Sequence, residues 1–153
     1  MSRGFILVEA AITYVVLAFA LVALMPLFIL SVRASKASEK VVVATQLSVA
    51  LMEELRMRRF DESTPLPARA VGSPGAIGLE AGETAGDKTT FDDVDDFSGW
   101  AEAKALDPVG QPLPAFSRFS RSVQVAYVTA AGAASGSPTD YKRATVCTQT
   151  AGM

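Results

Sequence analysis

The apolar and polar positions of this chain fall into distinct rhythms. From Ala10 to Val32 there are twenty-three residues without a charge, apolar on every side, enough to span about 30 Å of hydrocarbon as a helix. From Ser31 to about Phe60 the rhythm changes to three- and four-residue steps. Val43, Ala44, Leu47, Leu51, Glu54 and Leu55 share one face, while Lys40, Gln46, Glu53, Arg56 and Arg58 fall mostly on the other. The two stretches together predict one helix from Phe5 to Phe60, about 84 Å long at about 1.5 Å per residue. Such a molecule resembles a lollipop, its stem apolar and the second half of its helix amphipathic enough to bury one face against a small domain. Asp61-Glu62-Ser63-Thr64-Pro65-Leu66-Pro67 should end the helix, because prolines and a polar run stop its propagation.

Beyond that point the pattern weakens. Up to Lys88 the composition is Gly, Ala, Pro and Ser without a period, which predicts a long surface loop. Gly72-Ser73-Pro74-Gly75-Ala76-Ile77-Gly78 has neither the spacing of a dinucleotide fingerprint nor the Gly-Lys-Ser/Thr of a P-loop, so its glycines read as loop punctuation. From Phe119 to Val128 apolar and polar residues alternate, with Phe119, Arg121, Val123, Val125 and Tyr127 on one side. Arg143 to Thr150 is rich in Thr, Val and Ala. These predict two strands joined by a flexible loop over Thr129–Asp140. The expected fold class is α+β, a long N-terminal helix packed on a small antiparallel β-sheet. Two strands alone are marginal.

Composition removes most catalytic and binding classes. The chain has 153 residues and no histidine, which excludes His-based general bases and the commonest zinc ligand. Cys147 is the only cysteine, so no intramolecular disulfide forms, and its plain reading is a small strand residue. A net charge of -2 offers no basic face for nucleic acid. No constellation suggests an enzyme or a cofactor.

Phe91-Asp92-Asp93-Val94-Asp95-Asp96-Phe97-Ser98-Gly99-Trp100 is the most distinctive internal stretch. Four carboxylates within five residues repel one another, so some should face water, while Phe91, Val94, Phe97 and Trp100, spaced by threes, can turn inward together. A solvated loop pinned by aromatics is the expectation. Calcium at Asp92, Asp93, Asp95 and Asp96 is the weaker reading, because the EF-hand pattern fails at its third ligand and glycine. No metal is assigned from the sequence.

The N-terminus poses a sharper question, because Glu9 stands at the head of the apolar span. A secretory signal cut near Ala18-Phe19-Ala20 leaves Glu9 and the continuing apolar run unexplained. A plain single-pass anchor explains the length but not the carboxylate. The positive-inside rule, applied to Arg3 before the span and Arg33, Lys36 and Lys40 after it, places the C-terminal side in the cytoplasm unless something else governs export.

Arg3-Gly4-Phe5-Ile6-Leu7-Val8-Glu9 resembles the processing site of type IV pilin-like proteins. The resemblance implies a leader over 1–4, a transmembrane and assembly helix over 5–32, an amphipathic continuation over 33–60 and a small head over 61–153. It implies cleavage by a prepilin peptidase between Gly4 and Phe5, N-methylation of Phe5, and a register role for Glu9 at the fifth mature position. The physical logic is coherent. Gly4 leaves the backbone accessible to the protease, and the exposed Phe5 amine is the cation that a carboxylate in an apolar bundle needs. Pro26 is either a tolerated membrane-helix kink or the helix-bending proline of many pilins.

Arg59-Phe60-Asp61-Glu62 together with the acidic-aromatic block narrows the resemblance to minor pilin-like proteins of MSHA (mannose-sensitive haemagglutinin) pilus biogenesis. That implies an inner-membrane protein with a periplasmic head before assembly, then a place in the pilus at the cell surface. The implied partners are the prepilin peptidase, other pilin subunits, the inner-membrane assembly platform and membrane lipid. Family members continue past a strand opening like Tyr141-Lys142-Arg143, so the expectation here is a head that borrows an edge from a partner or a shortened version of the domain. A pseudopilin of a type II secretion system shares every N-terminal feature, and a membrane-anchored binding module is the reading from another class.

Overall fold

The structure, a computed structural model, describes residues 3–62 and 74–150, with the side chains of residues 3–6 excluded. The expected helix stop at Pro65 and Pro67, the glycine at 72 and the chain end from Ala151 lie outside the described residues, as do Met1 and Ser2 of the leader. The chain divides into two compact units, Met1–Val41 and Val42–Met153.

One helix, α1 (Arg3–Arg56), contributes to both and is continuous through Pro26. In the first unit its apolar residues are bare, Leu7, Phe19 and Phe28 being 72%, 72% and 73% exposed. This helix, with none of its apolar window buried among the described residues, is long and apolar enough to cross a membrane.

In the second unit α1 is one-sided. Leu47, Leu51 and Leu55 are buried, and Val43, Ala44 and Glu54 are partly so, which is the face predicted from the spacing. The helix ends four residues earlier than expected. Met57 and Arg58 donate to the carbonyls of Glu54 and Leu55, tightening the last turn. Arg59 then leaves the helical path altogether and forms a parallel bridge with Asp93, Arg59 N donating to Asp92 O and Val94 N to Arg59 O.

The sheet has three strands in the order β1-β2-β3, all antiparallel: β1 (Ala101–Glu102), β2 (Phe119–Tyr127) and β3 (Lys142–Thr150). Nine residue pairs join β2 to β3, from Phe119↔Thr150 to Tyr127↔Lys142. β1 adds a short edge that sequence alternation missed, because two residues carry no period. Phe119, Arg121, Val123, Val125 and Tyr127 are all buried, as the alternation predicted. The core joins Leu51 and Leu55 to Phe91, Phe97, Trp100, Val123 and Val125. Each leucine buried this way contributes about 1.5–3 kcal/mol.

Two polar ties fix the sheet on the helix. Ser48 and Thr148 hydroxyls meet at 2.6 Å, and Arg121 donates to the Leu47 carbonyl at 3.2 Å while pairing with Glu102, its cross-strand partner. Lys88, with no exposed side chain, reaches Glu54 at 3.0 Å. That ion pair explains why a glutamate belongs on the apolar face of the helix.

Candidate functional site

Two regions hold candidate chemistry, one in each unit. In the first, the backbone of Gly4 and Phe5 lies in α1, and the Phe5 side chain is outside the described set. Glu9 is exposed and pairs with no cation among the described residues. Its carbonyl accepts from the Thr13 hydroxyl at 2.9 Å, a bond within the same helix. Ile12 and Val16, three and seven residues on, are bare as well. The isolated chain therefore presents a carboxylate on an otherwise apolar surface.

The second region is the acidic block, and here the structure corrects the sequence. Asp92 faces water, but Asp93, Asp95 and Asp96 are only 1%, 1% and 2% exposed. The aromatics do turn inward. Phe91 meets Phe97 and Trp100 edge-to-face at centroid distances of 5.1 and 5.4 Å. Between them Asp95–Phe97 forms a single 3-10 turn. Gly99, at φ +81°, turns the chain so that Trp100 returns to the core.

The buried acids are held by three different devices. Asp96 Oδ2 accepts from the backbone N–H groups of Asp92 and Asp93, both at 2.9 Å, so it serves as a local cap. Asp93 Oδ1 accepts from Asp95 N at 2.8 Å. Asp95 pairs with Lys142, whose side chain is 2% exposed. Lys142 also lies 3.6 Å from Asp61, donates to the Phe60 carbonyl, and sits over the rings of Phe60 and Tyr127 at 4.6 and 5.4 Å.

The two segments that carried the finer resemblance therefore pack on each other. Arg59 bridges to Asp93 through the backbone and to Asp92 through its guanidinium at 3.6 Å, while Phe60 and Asp61 meet the acidic block through Lys142. Sequence reasoning missed Lys142. The available signal was its parity, since it shares the inward face of β3 with Ala144, Val146 and Thr148. A lysine on an inward face needs a carboxylate.

Glu80 and Glu83 approach the block from the loop that precedes it. Carboxylate oxygens of Glu80, Asp93 and Asp96 lie within 4.8 Å of one another. Glu83 accepts from Glu80 N at 2.8 Å. Burial, then neighbouring carboxylates, pushes Asp93 up to about 8, Asp96 to about 6 and Glu80 to about 7. Burial and nearby carboxylates also raise Tyr127, to about 12. A second group, Glu62, Glu83 and Asp92, is mostly exposed and has Arg59 beside it. There Asp92 raises Glu62 through a shared hydrogen bond and its charge.

These shifts give a pH dependence of definite sign. Acids whose folded pKa lies above the unfolded value bind protons more tightly in the native state, so their stabilisation is complete below about pH 4 and disappears as pH rises through 6 to 8. In chelator-treated buffer the thermal midpoint is expected to fall by at least about 5 °C between pH 5 and pH 8.5. A midpoint that rises over that interval contradicts the strained cluster.

Comparison of the chain with protein-family models, with curated proteins and with solved structures found no match.

Proposed function

We propose that this chain is a minor type IV pilin-like subunit of the MSHA biogenesis kind, resembling MshD. It is inserted through its N-terminal helix, cut after Gly4 by a prepilin peptidase, methylated on the amine of Phe5 and assembled into, or at the start of, a surface filament. Before assembly the helix occupies the inner membrane with the head in the periplasm. In this reading Glu9 pairs with a Phe5 amine and sets the axial register, and Pro26 allows the helix to bend. The protein is a substrate and building block, with no catalytic role of its own.

The observation that carries the reading is the bare apolar window of α1, none of it buried, with Glu9 at its head, in a helix whose later turns form one face of a small α+β core. Apolar surface on this scale belongs in lipid or against other helices. A type II secretion pseudopilin fits the same N-terminal residues. What tilts the reading toward the pilus is the resemblance of Arg59-Phe60-Asp61-Glu62 and the acidic-aromatic block to MSHA-type proteins.

The test is the N-terminus of the mature protein. Mass spectrometry of chain purified from cells with the peptidase should find a peptide beginning at methylated Phe5, and from cells lacking it a peptide beginning at Met1 or Ser2. The Gly4→Val variant should accumulate only as the unprocessed form. A Met1 or Ser2 start in both strains would instead point to a simple membrane-anchored binding module.

A further inference from the structure

We propose that Glu80, Asp93 and Asp96 form a binding site for a single Ca²⁺ ion, which ties the loop before the acidic block to the 3-10 turn at Asp95–Phe97. The proposal stands apart from the filament reading and does not depend on it.

Clustered acids alone make no site. The decisive feature is what the hydrogen bonds leave over. Asp93 uses Oδ1 and Asp96 uses Oδ2 on backbone N–H groups, and the remaining oxygens, Asp93 Oδ2 and Asp96 Oδ1, are buried and accept nothing. Glu83 Oε1 next to them is equally unpartnered. A buried carboxylate oxygen without a donor is costly. None of Glu80, Glu83, Asp93 and Asp96 pairs with a lysine or arginine among the described residues, whereas Asp95 and Asp92 have Lys142 and Arg59. Among the described residues, the cations that reach this part of the head pair with Asp61, Asp92 and Asp95.

The chemistry selects the ion. All the donors are carboxylate oxygens, the chain has no histidine, and its one thiol, Cys147, lies exposed on β3, so the site is hard and oxygen-only. Oxygens up to 4.8 Å apart can sit on opposite sides of an ion at about 2.4 Å, the Ca²⁺–O distance. Magnesium, at about 2.0–2.1 Å, demands near-ideal octahedral geometry and gives up its waters reluctantly, so three carboxylates favour Ca²⁺ over it. With Ca²⁺ bound, the raised acids would ionise against the metal rather than retain protons. The exposed group at Glu62, Glu83 and Asp92 has Arg59 beside it and lacks buried unpartnered oxygens on Glu62 and Asp92, so it is the internal control.

Trp100, the only tryptophan, lines the same cleft as Asp96, which makes the site readable by sensitised Tb³⁺ luminescence. The experiment uses the full chain in detergent micelles, stripped with chelator and titrated with Tb³⁺, then with CaCl₂ or MgCl₂ as competitor. The expected result is one saturable Tb³⁺ site, displaced by Ca²⁺ with half-effect at about 0.1–1 mM and at least about tenfold less readily by Mg²⁺. Glu80→Gln, at an exposed position whose backbone hydrogen bond is unaffected, should weaken Ca²⁺ binding at least about tenfold while its chelator-treated melting midpoint is no lower than the wild type's, since the change removes a repelling charge, and Glu62→Gln retains wild-type affinity. Absence of sensitised luminescence, equal displacement by Mg²⁺, wild-type affinity in Glu80→Gln, or loss of binding in Glu62→Gln would each overturn the proposal.

Discussion

Replacing Lys142 with methionine is expected to destabilise the Val42–Met153 unit by about 3–5 kcal/mol. The lysine is a buried cation shared by Asp95 and Asp61, with its ammonium over the rings of Phe60 and Tyr127. Methionine fills the same volume but leaves Asp95, 1% exposed, beside Asp93 and Asp96 with no ammonium group among them. For a domain of this size that loss lowers the thermal midpoint by roughly 15–25 °C. The register of the sheet is at stake as well. Lys142 opposes Tyr127, and a slip of one residue would carry every inward side chain of β3 to the other face and remove the cation from the acids. Adding Asp95→Asn should recover part of the loss, because it removes the charge that the first substitution left uncompensated. A midpoint for Lys142→Met within about 2 °C of the wild type would show that this ion network contributes nothing to stability.

The sequence disclosed those parts of the fold whose physics is local. The face of α1 at Leu47, Leu51 and Leu55 and the inward row of β2 follow from periods of 3.6 and 2, and both were legible. The burial of the acids was not. Repulsion among four neighbouring carboxylates argues for water, and that argument holds until Lys142, forty-odd residues later, is known to be folded onto them. Glu80 was invisible for the same reason, since it lies in a stretch without period and meets Asp93 and Asp96 only in three dimensions. The calcium reading from sequence therefore included Asp92 and Asp95, which have cationic partners, and missed the glutamate that does not. The early end of α1 has a comparable origin: Arg59 is compatible with a helix, but its backbone is better satisfied by the strand-like bridge to Asp93.

Glu9→Val is expected to leave insertion of α1 in the membrane intact and to reduce incorporation of the subunit into sheared filaments by about a hundredfold or more. The first half follows from hydropathy. Glu9 is the only charge between Leu7 and Val32, and valine at that place lengthens an apolar window already sufficient to span a bilayer. The second half depends on the proposed pairing. In the isolated chain the carboxylate has no cationic partner among the described residues, and in lipid near the headgroups it can still reach water. Moving it into a packed helix bundle removes that water, so a neighbouring Phe5 amine becomes its only natural counter-charge there. Breaking such a buried pair from one side costs about 3–5 kcal/mol, because the ammonium is left without its partner. That cost falls on the assembled state alone, which is why assembly and insertion should separate. The measurement is the ratio of variant to wild-type subunit in filament and membrane fractions of the same cells. Equal ratios in the two fractions would deny Glu9 any part in register. A variant lost from both would return the residue to a role in insertion or folding.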